Sequence, residues 1–208
     1  QVGKVAHLGL GFGAGAKTFQ RVAKLMGGVD IDLDESKDIV DTWRRAYPEI
    51  TIGWRTCHKA LPTIIQGATG GALDPWGMVY PIPEGLQTPK GIIRYPNLRI
   101  EVNEDDGQSE FIYGTTHKAK IYAGKIDENI VQHLARCVIA DNALEIRRVA
   151  DLKPALMVHD ELVYVVPESL AQSTLDLVQG IMRTPPKWWP ELLTWSEGDI
   201  ADTYGDAK

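Results

Sequence analysis

Ala155-Leu156-Met157-Val158-His159-Asp160-Glu161-Leu162-Val163-Tyr164-Val165-Val166 sets a charged triplet between two apolar runs. The pattern reads as two short strands, residues 155–158 and 162–166, joined through His159-Asp160-Glu161. Solvated turn residues would explain such a triplet, since aspartate is common in turns. The strands are apolar on both faces, however, so they read as buried. Carboxylates at the end of a buried hairpin need partners, and hard divalent cations are natural ones. In an extended chain residues 160 and 161 point to opposite sides. Two metal ions about 4 Å apart normally require a further carboxylate, and no other segment supplies one.

The regions around this hairpin give the fold class. A helix is expected from about Glu168 to Met182, and a longer one opens at Asp127. Ile130, Leu134, Cys137, Val138 and Leu144 recur along it at helical spacing, leaving Gln132, Arg136 and Glu145 off the stripe. Upstream, Gly91–Tyr95 and Ser109–Tyr113 flank the polar stretch Asn103-Glu104-Asp105-Asp106-Gly107, a hairpin pattern. Residues 67–90 are rich in Gly and Pro and read as an irregular insertion or long loop. Before them come two helices, Glu49–Ile65 and Asp34–Ala46; the second has Asp32 or Asp34 to cap it and Arg44-Arg45 in its last turn. The sum is an α+β chain: helices first, then antiparallel strands with packed helices.

A second chemical stretch lies at the start: Lys4-Val-Ala-His-Leu8-Gly-Leu-Gly-Phe12-Gly13. On a helix Lys4, Leu8 and Phe12 fall at i, i+4 and i+8 and line one face. A cation and an aromatic ring two turns apart suit a ligand with phosphates at one end and a flat base at the other. A surface lysine beside two core residues is equally compatible with the residues alone. Gly9, Gly11, Gly13 and Gly15 each weaken a helix interior. Gly11 to Thr18 nearly matches a phosphate-cradling P-loop, with Lys17 and Thr18 in place but Ala16 where glycine is required. A nucleotide hydrolase using Lys17 and Thr18 is therefore the rival enzyme reading, and a non-catalytic DNA-binding subunit is a third.

Composition bounds these readings. The chain has 208 residues, 44% hydrophobic and 24% charged, enough for one or two cores. No run approaches the ~20 apolar residues that span a bilayer. Neither a basic leader nor a small-residue cleavage site opens it, so the expected location is cytoplasmic, with no membrane partner. Cys57 and Cys137 are far apart and without metal-ligand spacing, as reduced thiols would be. A net charge of -6 argues against nucleic-acid binding by bulk charge, though not against a local basic cleft.

Taken in order, these stretches resemble family A (DNA polymerase I-like) DNA polymerases. Lys4 with Phe12-Gly13 matches motif B (Arg, three residues, Lys, seven residues, Tyr-Gly), with Phe12 for the usual Tyr. Val158-His159-Asp160-Glu161 matches motif C. Glu128-Asn129-Ile130-Val131-Gln132 is similar to the segment bearing the minor-groove glutamine, and Tyr122-Ala-Gly-Lys125 ahead of it is similar to bacteriophage members. Tyr47-Pro48 sits where the family's fingers helices carry Tyr-Pro.

The resemblance implies a DNA-directed DNA polymerase of incomplete right-hand fold. Residues 1–66 would be fingers, 67–90 an insertion, and 91–208 the C-terminal part of an antiparallel palm. It implies that Lys4 binds the phosphates of the incoming nucleotide and protonates the departing pyrophosphate. Leu8 would lie beside the sugar, where Phe or Tyr governs discrimination against dideoxynucleotides. Phe12 would pack at the templating-base pocket, and Gly13 would let the duplex approach. Gln132 and His159 would touch the primer-template through the minor groove. Asp160 would ligate two Mg2+ ions, with Glu161 supporting. The partners implied are primer-template DNA, dNTPs and an N-terminal part of the same polymerase, as a separate or cleaved chain. That part would supply motif A with the other metal-binding aspartate, and the motif B arginine would fall immediately ahead of Gln1. If the protein is viral, its cytoplasm is the host's.

Overall fold

The computed structural model describes residues 2–104 and 107–207. It forms two compact units, Gln1–Val131 and Gln132–Lys208, divided within one helix. The fold mixes helices with small antiparallel sheets.

The first unit begins with four helices: α1 (Val2–Leu10), α2 (Ala16–Gly27), α3 (Leu33–Ala46) and α4 (Pro48–Ile65). Local chemistry sets their ends. Asp32 Oδ1 accepts from the amides of Asp34 (2.9 Å) and Glu35 (2.8 Å), satisfying two orphan donors of α3. Gly28 closes α2 with a left-handed φ of 62°, which glycine adopts without penalty. Pro48 opens α4, where a missing N–H costs nothing. Val5, Leu10, Phe19, Ala23, Val40 and Trp43 then pack into one buried cluster that joins α1, α2 and α3.

Three-stranded sheets follow: β1 (Tyr80–Ile82), β2 (Gly85–Thr88) and β3 (Gly91–Arg94), then β4 (Arg99–Val102), β5 (Ser109–Tyr113) and β6 (Ala119–Ile121), both antiparallel in chain order. Leu61, Ile64, Val79, Leu86, Tyr95, Ile121 and Ile126 form a second buried cluster behind them. At about 1.5–3 kcal/mol per fully buried large aliphatic side chain, these two clusters supply most of the unit's stabilisation.

Two expectations fail here. Residues 67–90 are not wholly irregular, since β1 and β2 lie within them. Gly85 reads as a breaker yet belongs in a strand: its φ is 147°, and a Cβ there would sit 2.0 Å from the Ile93 carbonyl oxygen. The second expectation paired Gly91–Tyr95 with Ser109–Tyr113, but β5 takes β4 as partner (Arg99↔Ile112, Val102↔Ser109) and β3 takes β2. Pro96 and Asn97, the latter at a left-handed φ of 56°, separate β3 from β4 and hide the second strand from a periodicity reading. Asp105 and Asp106 of the expected turn lie outside the described residues.

α5 (Ala123–Ala150) crosses from the first unit into the second. It starts four residues before Asp127, because the Tyr122 carbonyl accepts from Lys125 and Ile126 amides at 2.9 and 3.0 Å. Leu144, placed on the apolar stripe by its spacing, is exposed, and Ile146 is buried instead. The second unit continues with β7 (Leu156–Val158), β8 (Glu161–Val163), a 3₁₀ turn (Glu168–Leu170) and α6 (Ala171–Met182). The Trp188 indole donates to Asp141 Oδ2 at 2.9 Å, fixing part of the tail against α5. Among the described residues no helix is long and apolar enough to cross a membrane.

Candidate functional site

In the first unit Lys4, Leu8, Phe12 and Gly13 straddle a helix end. Lys4 and Leu8 lie one turn apart on α1 and are exposed, with Leu8 57% accessible, opposite the buried Val5, Ala6 and Leu10. α1 stops at Leu10, so Phe12 does not extend the Lys4–Leu8 stripe as a helical residue. Gly11 N–H bonds the His7 carbonyl at 3.3 Å, Gly13 N–H bonds that of Leu10 at 3.0 Å, and Gly13 takes a φ of 87°. The glycines thus convert the end of the helix into a turn that carries Phe12, half-buried, beside Gly13.

Residues far along the chain clamp that turn. Trp54 Nε1 donates to the Gly11 carbonyl at 3.2 Å, and the Trp54 ring stacks on Trp43 at 6.1 Å with planes 14° apart. Gly124 approaches so closely that a Cβ there would lie 2.1 Å from the Phe12 carbonyl oxygen. Asp127, one turn into α5, has its carboxyl pushed up by burial, and the Trp54 indole offsets part of the rise. Sequence reasoning missed Trp54, and passed over Gly124 except as part of a phage-like stretch, because neither lies near Phe12 in sequence.

The P-loop reading loses its frame. Lys17 and Thr18 do fall in the first turn of α2 after Gly15, but α1, a helix, precedes that loop where the P-loop needs a strand.

In the second unit the pairs Leu156↔Val163, Met157↔Leu162 and Val158↔Glu161 leave His159-Asp160 as a two-residue loop. This places Asp160 at the very tip and Glu161 in the closing pair. His159 has a φ of 52°, where such loops favour glycine, so the backbone is strained at this point. The hairpin is not buried as its composition implied: Leu156, Met157 and Val158 are 47%, 36% and 38% accessible. Gln132 and His159 are both exposed.

Glu161 has an unforeseen partner. The Tyr204 hydroxyl, from the tail, donates to Glu161 Oε2 at 2.8 Å, and the bond to that carboxylate raises the Tyr204 hydroxyl pKa. Among the described residues no group of three or more His, Cys, Asp or Glu is placed to hold a metal ion. The carboxylates of Asp160 and Glu161 are hard oxygen donors, the type Mg2+ takes. They fit as a portion of a metal site, Asp160 being exposed and Glu161 shared with Tyr204.

Comparison with known proteins adds one line. No family model matches the chain, and no solved structure matches it. Over 98% of its length it is 29% identical to a DNA polymerase of Bacillus phage SP02, of which it spans 32%. The chain is thus similar to about a third of a phage protein named as a DNA polymerase.

Proposed function

We propose that this chain carries the C-terminal catalytic portion of a DNA-directed DNA polymerase of the DNA polymerase I-like family. It would add deoxynucleotides to a primer 3′ end together with an upstream part bearing motif A. The observation that carries the reading is the display of Asp160 at the tip of a two-residue hairpin loop, next to a strained His159. The similarity to the phage polymerase along nearly the whole chain supports it.

In this reading 1–66 act as fingers and 91–208 as palm, with 67–90 between them. The primer 3′ hydroxyl oxygen attacks the α-phosphorus, its proton passing to water, as the bond to pyrophosphate breaks. Lys4, at the exposed face of α1, neutralises the triphosphate and gives its proton to the leaving pyrophosphate. Leu8 borders the sugar, and Phe12 on its turn packs against the templating base. Gly13 leaves room for the duplex. Gln132 and His159 hold the primer-template at its minor groove. Asp160, with Glu161 in support, would hold Mg2+ jointly with the upstream carboxylate, and the metal would supply charge neutralisation for the phosphoryl transfer. Phosphoryl transfer depends on positioning and charge neutralisation, so each of these groups carries a large share of the rate.

Primer extension with Mg2+ tests the reading, using the chain alone and the chain combined with the upstream part. Extension is expected only from the combination. Extension by the chain alone would remove the need for a partner. Normal extension by an Asp160→Asn combination would remove the metal role of Asp160.

A further inference from the structure

We infer that β4 is an interface strand: its free edge pairs antiparallel with β4 of a second copy of this chain, joining two three-stranded sheets into one continuous sheet. β4 lies at the edge of its sheet, in the order β4-β5-β6. The Asn103 amide donates to the Gln108 carbonyl at 2.8 Å, and Glu101 stands opposite Glu110. By the alternation of an antiparallel ladder, residues 99, 101 and 103 turn their backbone groups toward β5. The N–H and C=O of Ile100 and Val102 therefore point away from the sheet, and among the described residues no strand pairs with that edge. The side chains of the same two residues are 57% and 64% accessible. They share a face with Phe111, which packs against the buried cluster behind the sheets, yet neither belongs to that cluster. An unpaired edge with an apolar face templates another strand.

The charges on the opposite face select the strand. Arg99 and Glu101 flank Ile100 with opposite signs. In a two-fold pairing with Ile100 opposite Ile100, Arg99 faces Glu101 of the second copy and Glu101 faces its Arg99. The backbone agrees with that register. Ile100 meets Ile100 as a hydrogen-bonded pair, and Arg99 meets Glu101 as a non-hydrogen-bonded pair, where cross-strand side chains come closest. Val102 comes opposite Leu98 of the second copy, so apolar side chains gather on one face. Slipping by one step that keeps the outward groups matched sets Arg99 against Arg99 or Glu101 against Glu101, and like charges directly opposite are unfavourable. Within its own chain Glu101 already accepts from Arg99 Nε at 2.8 Å and from Lys118 Nζ at 3.0 Å. A carboxylate has about four lone-pair sites, so a further donor is accommodated. A strand from another protein satisfies the backbone but has no built-in match to this charge order. The pairing does not rest on the polymerase reading.

A strand of 4 residues makes a small interface, of the weak and reversible class. Sedimentation equilibrium of the whole chain from about 5 to about 200 µM tests it, and the wild type is expected to approach a dimer as concentration rises. Arg99→Glu and Glu101→Arg each place like charges at both symmetry-related pairs, and each is expected to weaken association about tenfold. An equimolar mixture of the two variants makes both pairs opposite in sign again, so association like that of the wild type is expected to return in the mixture. Ile100→Lys sets two cations side by side at the two-fold axis and is expected to weaken association about tenfold or more. It leaves the Arg99 bonds to the Asn97 and Gly114 carbonyls in place. Ile100→Lys therefore carries the test if circular dichroism shows that Arg99→Glu, which gives up those bonds, does not fold. A wild type that stays monomeric at about 200 µM overturns the proposal. Dimers indifferent to all three substitutions overturn it too, as does a mixture of the two folded charge variants that associates no better than its components.

Discussion

The indole nitrogen of Trp54 and the carbonyl oxygen of Gly11, 43 residues apart, are joined by a 3.2 Å hydrogen bond. Through it α4 holds the turn on which Phe12 is mounted, and the same indole moderates the half-buried carboxyl of Asp127. Trp54→Phe keeps an aromatic ring against Trp43 but removes the donor. The expected loss is about 1 kcal/mol of unfolding free energy, read by urea denaturation. An unchanged midpoint would mean that the bond is not holding the turn.

Gly124 is the other side of that clamp. An added methyl would meet the Phe12 carbonyl oxygen at 2.1 Å, and backbone cannot swing aside as a flexible side chain can. Gly124→Ala is therefore expected to destabilise the chain by about 1–3 kcal/mol. Gly53→Ala has open space around the new methyl and lies mid-helix, so it serves as a control expected to stabilise slightly. Equal behaviour of the two variants would refute the close approach.

His159 adopts a left-handed φ at the hairpin tip, which costs a non-glycine residue about 1–2 kcal/mol. His159→Gly relieves that strain but loosens the unfolded chain, so a net gain of up to about 1 kcal/mol is expected. The thermal midpoint should rise while primer-template affinity falls. A lower midpoint would show that the imidazole, not the backbone, stabilises this loop.

Burial raises the Asp127 carboxyl above its ordinary value, so the folded chain keeps this proton to higher pH than the unfolded one. Its contribution is fully present below the unfolded carboxyl value and is lost as pH rises through the folded one. Asp127→Asn is neutral throughout. It should be more stable than the parent at neutral pH, by less than about 1 kcal/mol given partial solvent screening, and should show no advantage near about pH 3. The Cys57 thiol, pushed up to about 12 by burial and secondarily by the charge of Asp127, should resist thiol reagents in both proteins while folded. Denaturation curves across pH that stay parallel for the two proteins would contradict the assignment.

What could be read from sequence was what local chemistry decides. Asp32 at the start of α3 and the apolar runs flanking His159-Asp160-Glu161 each act within a few residues of themselves. What escaped depends on distance. Gly85 looks like a breaker until Ile93 is brought against it, and β4 has no partner signal until β5 folds beside it. The apolar composition of the hairpin implies burial but says nothing of what covers a strand, and β7 is exposed. Among the candidate site residues, Lys4 and Leu8 in the first unit and Asp160 in the second announce themselves by type and spacing. Trp54 and Tyr204 do not, since their contacts exist only after α4 and the tail have folded.

The contact between Gly124 and the Phe12 carbonyl also constrains how this protein can diverge. A lineage cannot acquire a side chain at position 124 by a single tolerated step while the 11–13 turn keeps its path. The two segments must change together, or a compensating shift of the turn must come first. Homologues that carry anything but glycine at this position should therefore also differ in the length or glycine content of that turn, which makes the pair a marker for sorting relatives by the shape of the loop after α1.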